Sequence, residues 1–145
     1  FYRRSQKGGF DAVLMTQGME AIKANIEAIE TNENATDKDE DLLTTMEVVY
    51  EYYLRGFDFL PIDIYKSHAT KFLVEDGKIL PPFVAISGLG ENAAWDLMRG
   101  REGKTFLSIE EVAAACPKVS KTHIQMLKDA GAFGSLPDTS QISLF

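Results

Sequence analysis

The stretch Ile86-Ser87-Gly88-Leu89-Gly90-Glu91-Asn92-Ala93-Ala94 carries the clearest chemistry in this chain. Two glycines flank one apolar residue immediately before a predicted helix. The first amides of a helix lack intrahelical partners, and the helix dipole favours a negative group beside them. Glycines let an oxyanion approach without a Cβ in the way. Leu89 would plug the turn into a core, and Ala93 and Ala94 would let neighbouring helices close up. The chemistry implied is the seating of a phosphate on backbone N–H groups, with Gly88, Leu89, Gly90 and Glu91 at the seat. The bland alternative is an ordinary helix start with no ligand.

The spacing Gly88-x-Gly90-x-x-Ala93 also matches a dinucleotide-binding fingerprint. That reading needs a buried strand before the turn, yet Pro81-Pro82 leave only Phe83–Ile86 for one. It also needs a long helix and a second parallel strand, whereas Gly100 and Gly103 end the helix early. The acids that lie further on, Glu110 and Glu111, fall inside a predicted capped helix. The apolar-x-Gly-apolar-Gly turn instead resembles the helix-hairpin-helix DNA-binding motif. Such contacts meet phosphate rather than base edges, so binding would ignore sequence. Lys118-Val119-Ser120-Lys121 sits between two short predicted helices, as a second hairpin would, though it lacks the paired glycines. Lys118, Ser120, Lys121, Arg99, Arg101 and Lys104 are the further candidates for DNA contact. For each cation the alternative is a solvated side chain. Glu91 and Asp96 would weaken the local positive field.

The last five residues, Gln141-Ile142-Ser143-Leu144-Phe145, resemble the short bacterial sliding-clamp-binding motif. Leu144 and Phe145 could fill an apolar pocket on a partner, and Gln141 could hydrogen-bond at its edge. Burying one Leu and one Phe contributes about 1.5–3 kcal/mol each before ordering costs. Tethering raises the effective concentration of such a weak contact. The alternative is a tail that folds back on its own core.

The 145 residues suffice for one domain or two small modules sharing a core. Net charge is −7, which argues against a free-standing nucleic-acid binder. The charge is uneven: residues 1–80 hold 9 basic and 15 acidic side chains, residues 81–145 hold 6 and 7. A single cysteine, Cys116, excludes a disulfide framework and any multi-Cys metal site. Two histidines, His68 and His123, leave little for zinc, and neither has a partner the sequence names. No apolar run is long enough to span a membrane. The chain reads as an excised piece of a longer intracellular, cytoplasmic protein.

Around the glycine turn, the pattern predicts a mainly α-helical α+β fold. Asp11 can cap a helix that carries Ile22, Ile26 and Ile29, with Gly18 as an interruption. Residues 32–41 form an acidic, solvated loop. Thr36 caps the strongest helix, whose stripe runs from Leu42 to Leu54 and stops at Arg55-Gly56. FDFLPIDIY reads as extended, and KFLVEDGKIL as a hairpin turning at Asp76-Gly77. Three short helices follow Pro81-Pro82. Ser108 and Glu111 form a capping box for the second, and Ser120 caps the third. Residues 137–145 read as unpacked.

Taken together, the chain resembles the C-terminal end of the PolC-type bacterial replicative DNA polymerase III. The resemblance covers nearly the whole chain. Its marks are the run from DLLTTMEVVYEYYL to ISGLGENAA, then KVSKTHIQMLKDAGAFGSLPD, then QISLF. It implies a helical and β-hairpin part adjoining the polymerase fingers (1–80), a duplex-binding helix-hairpin-helix part (81–136) and a flexible clamp-binding tail (137–145). It also implies a parent enzyme that performs DNA-templated nucleotidyl transfer with magnesium. The catalytic carboxylates would lie upstream, so this stretch carries no catalytic residue and no cofactor. The implied partners are duplex DNA, the sliding clamp and the rest of the polymerase chain, with no membrane. Two other readings stay open: a helix-hairpin-helix module of a DNA-repair protein, and a protein-interaction domain without a DNA role.

Overall fold

The computed structural model describes residues 11–139. Helix α1 (Ala12–Met15) begins at Asp11, whose carboxylate accepts from Val13 N at 3.0 Å. Gly18, at φ +107, breaks the helical run and starts α2 (Met19–Glu30). Helix α3 (Asp37–Leu54) opens with a full capping box, in which Thr36 and Asp39 each bond the other's backbone N–H. Asp37, Asp39 and Glu40 fill its first turn, where the dipole favours acids. Helices α2 and α3 pack as a pair, and Tyr53 of α3 donates its hydroxyl to Met15 O at 2.7 Å.

The predicted hairpin forms from β1 (Leu73–Glu75) and β2 (Lys78–Leu80), antiparallel, with Val74 opposite Ile79. Asp76 and Gly77 both take positive φ at the turn, at 53° and 75°. The FDFLPIDIY segment forms no strand. It adds one parallel bridge, Phe59 to Ile79, and otherwise follows an irregular course. Pro61 and short-range turns at the segment's end explain this: Ser67 N bonds Asp63 O at 2.9 Å, and Asp63 N bonds Ser67 Oγ at 2.9 Å.

A single 3-10 turn (Phe83–Ala85) leads into the glycine turn and then α4 (Glu91–Arg101), α5 (Ile109–Ala115) and α6 (Lys121–Asp129). One apolar core joins Met15, Ile22, Met46 and Val49 to Ile62, Ile64, Phe83, Leu97, Val112 and Leu127. It runs without a break across Pro81-Pro82. Six helices and one two-stranded sheet make up the described residues, a mainly helical α+β fold.

Residues 137 and 138 depart from the expected unpacked tail. Ile109 N donates to Pro137 O at 2.9 Å and Glu110 N to Asp138 O at 3.1 Å. Asp138 also pairs with Lys128 at 2.9 Å. The first amides of α5 need acceptors, and the passing strand of chain supplies them.

Candidate nucleic-acid interface

The chain builds the same turn twice, in front of α4 and in front of α6. In the first, Leu89 N donates to Ile86 O at 3.1 Å; in the second, Val119 N donates to Cys116 O at 3.0 Å. Leu89 and Val119 both point into the core, 4% and 7% exposed. Gly90 and Ser120 cap their helices in one backbone state, φ −78, ψ 171 and φ −77, ψ 169. The second hairpin lacks glycines but keeps the geometry.

The two turns differ in what their amides do. Gly90 offers α4 no side-chain cap, and the first amide of this helix with a backbone partner is Ala94 N, bonded to Gly90 O at 3.1 Å. Ser87, Gly88, Gly90, Glu91 and Asn92 all face solvent. Gly88 sits at φ +91, a conformation that side chains resist, and a Cβ there would lie 2.9 Å from Met126 Cε. A Cβ on Gly90 would meet open space. The first turn thus presents an open, uncapped helix start, the arrangement that seats an anion.

In the second turn the amides of Lys118, Ser120 and His123 are taken internally. Ser120 Oγ accepts from His123 N, and His123 Nδ1 accepts from Ser120 N, both at 3.2 Å. Asp96 Oδ2 accepts from Lys118 N at 2.8 Å. The Ser120 hydroxyl is therefore engaged in capping, and the side chains of Lys118 and Lys121 are what this turn offers outward. Both lysines are exposed and form no salt bridge among the described residues.

The remaining candidate cations divide. Lys104 is exposed on the loop after α4. Arg99 is exposed and ion-paired through its Nη2 to Asp96 Oδ1, with Nε at 3.1 Å from the same oxygen. Asp96 itself is 3% exposed. Burial pushes its carboxyl up, but the Arg99 guanidinium and the Lys118 amide more than offset that and hold it below the ordinary carboxylate value. Arg101 turns inward: Nη1 donates to Ile64 O at 3.1 Å, and the guanidinium lies 5.7 Å from the Phe83 ring centre. Burial lowers its pKa. It is placed as a brace between the 61–70 segment and α4 rather than as an outward cation.

The sequence names no partners for the two histidines, and the structure supplies them. His68 Nδ1 accepts from Thr70 N at 3.0 Å and Lys71 N at 3.1 Å, while its ring meets Trp95 edge-on at 5.3 Å. His123 replaces the usual Glu or Gln in a capping box, which is why the pattern passed unseen. The predicted Ser108–Glu111 box is shifted: Ser108 Oγ accepts from Glu111 N at 3.3 Å, but Glu111 reaches Leu107 N instead of Ser108 N. Among the described residues no group of three or more His, Cys, Asp or Glu is placed to hold a metal ion, and no helix is long and apolar enough to cross a membrane. Gln141, Ile142, Ser143, Leu144 and Phe145 lie outside the described residues.

A family model for the helix-hairpin-helix motif matches residues 56–142. The chain belongs to the helix-hairpin-helix family. It is also similar to proteins named DNA polymerase III PolC-type. That of Thermotoga petrophila is 43% identical over 138 residues, that of Streptococcus agalactiae 42% over 140, and that of Bacillus cereus 41% over 137. These matches take in 94% of this chain and 9% to 10% of each relative. The chain therefore spans about a tenth of the length of the curated relatives it matches. The first of the two turns lies wholly inside the helix-hairpin-helix match, as do Lys104, Lys118 and Lys121.

Proposed function

We propose that this chain is the duplex-binding part of a PolC-type replicative DNA polymerase and grips DNA through its phosphates, whatever the base sequence. The observation that carries the reading is the open, uncapped start of α4 behind Gly88 and Gly90. Backbone amides there can donate to a phosphate oxygen, and the dipole of α4 favours its charge. Lys118 and Lys121 add cations at the neighbouring turn, and Lys104 one beyond α4. Similarity to PolC-type polymerases over nearly the whole chain supports the setting.

In the same reading the position is C-terminal in the parent chain. Gln141-Ile142-Ser143-Leu144-Phe145 dock on a sliding clamp, so that the duplex and the clamp are held by adjoining parts of one polypeptide. Nucleotidyl transfer and its magnesium ions belong to the rest of the parent enzyme, a cytoplasmic polymerase. This segment contributes grip and tethering and no catalytic residue.

The test is a salt titration of duplex binding by the 145-residue chain. Phosphate gripping weakens steeply as salt rises and is alike for unrelated duplexes. Binding that ignores salt, or that depends on one sequence, would sink the reading.

A further inference from the structure

Besides their different caps, the two hairpins differ at a point that the turn geometry itself does not require: a buried carboxylate occupies the second. Asp96, on α4, uses both of its oxygens. Oδ1 takes Nε and Nη2 of Arg99, and Oδ2 takes the backbone N–H of Lys118 at 2.8 Å. Lys118 holds the turn position that Gly88 holds in the first hairpin, where the residue is exposed. Both turns then run into helices from the same N-cap conformation.

We propose that Asp96 is a built-in stand-in for phosphate. It fills the amide seat of the second hairpin, locks that hairpin to α4, and leaves the first hairpin as the one that takes a phosphate on its backbone. This rests on the duplex-binding reading above. Three features support it. Asp96 is almost wholly buried, so DNA cannot displace it by simple approach. Its second oxygen is aimed at an amide across a tertiary contact rather than along its own helix. At the same junction Gly100 allows α4 to meet the end of α5, where a Cβ would lie 2.8 Å from Ala115 O. The consequence is a division of labour: the first hairpin binds through amides, the second through the side chains of Lys118 and Lys121. Asp96 is thus a positioning residue, acting through Arg99 and the Lys118 backbone.

Charge alone gives the opposite expectation. Removing an acid beside Arg99 would free a cation and tighten DNA binding. If Asp96 positions the second hairpin, Asp96→Asn lowers duplex affinity about tenfold, because Asn keeps one accepting oxygen and its NH2 only donates, so Arg99 and the Lys118 N–H are no longer both served. Asp96→Asn that binds as well as the wild type, or better, overturns the proposal. Amide hydrogen exchange on the wild-type chain gives a readout that survives a variant that fails to fold. Lys118 N–H exchanges slowly without DNA and is unchanged by duplex, while Gly88 N–H exchanges fast and slows on duplex addition. A Lys118 amide that is fast alone and slowed by DNA overturns the proposal. A wild-type chain that binds no duplex overturns the functional reading instead, and the free-state exchange of Lys118 still decides whether Asp96 holds that amide.

Discussion

Gly90 and Ser120 share one backbone conformation at the mouths of α4 and α6, yet one helix is capped and the other open. The difference is a single side chain. Gly90→Asp would fit without strain, since Gly90 is at φ −78 and a Cβ there meets nothing within 4 Å. Its carboxylate would cap α4 and complement the dipole, raising stability by about 0.5 kcal/mol. It would also occupy the phosphate seat, so duplex affinity should fall roughly tenfold or more. Urea unfolding and duplex titration on the same variant check both signs; a less stable variant, or one that keeps its affinity, contradicts the account. His68 makes a second prediction. Burial, with Lys71 and Arg101 nearby, holds its pKa below the ordinary 6.5, so the folded state prefers the neutral ring. The unfolded chain then binds more protons as pH falls. Stability is full above 6.5 and declines as pH drops below it toward the lower folded value. In His68→Asn the side-chain oxygen can take over the two amide bonds without titrating. Urea midpoints at about pH 7.5 and about pH 5.5 should therefore differ less in the variant than in the wild type.

At the scale of elements, the contact between α4 and the end of α5 leaves no room for a side chain at Gly100. Gly100 faces Cys116 and the Ala115 carbonyl, and the backbone cannot yield as a flexible side chain would. Gly100→Ala should destabilise by about 1–3 kcal/mol, read as a lower unfolding midpoint. An unchanged midpoint would mean the two helices separate easily. Helix α3, the Asp76-Gly77 hairpin and the helix behind the glycine turn were legible in the sequence because each carries a local signal: a cap, a stripe, a turn residue. What the sequence hid was non-local. Nothing near Arg101 announces that Ile64 O will take its guanidinium, and nothing near Asp96 announces Lys118 N. The FDFLPIDIY segment misled because alternation marks a half-buried chain as well as a strand, and beyond its single bridge to Ile79 this segment bonds through turns and a tertiary contact, Ile64 N to Ala132 O, rather than along a continued ladder.

For the whole molecule, the functional reading separates two contacts that should fail independently. Deleting Gln141–Phe145 is expected to abolish binding to the sliding clamp while leaving duplex affinity and its salt dependence intact. Retained clamp affinity would refute the tail assignment, and a parallel loss of duplex affinity would show that the two contacts are not separate. The anchoring of Pro137 and Asp138 over the start of α5 bears on how this would work in a moving polymerase. From Asp138 to Phe145 a fully extended chain reaches at most about 25 Å. On the proposed reading, a ring held by that leash would trail the gripped helix by no more than its own stub of slack, and fastening the leash at its root would set where along the track the ring must ride.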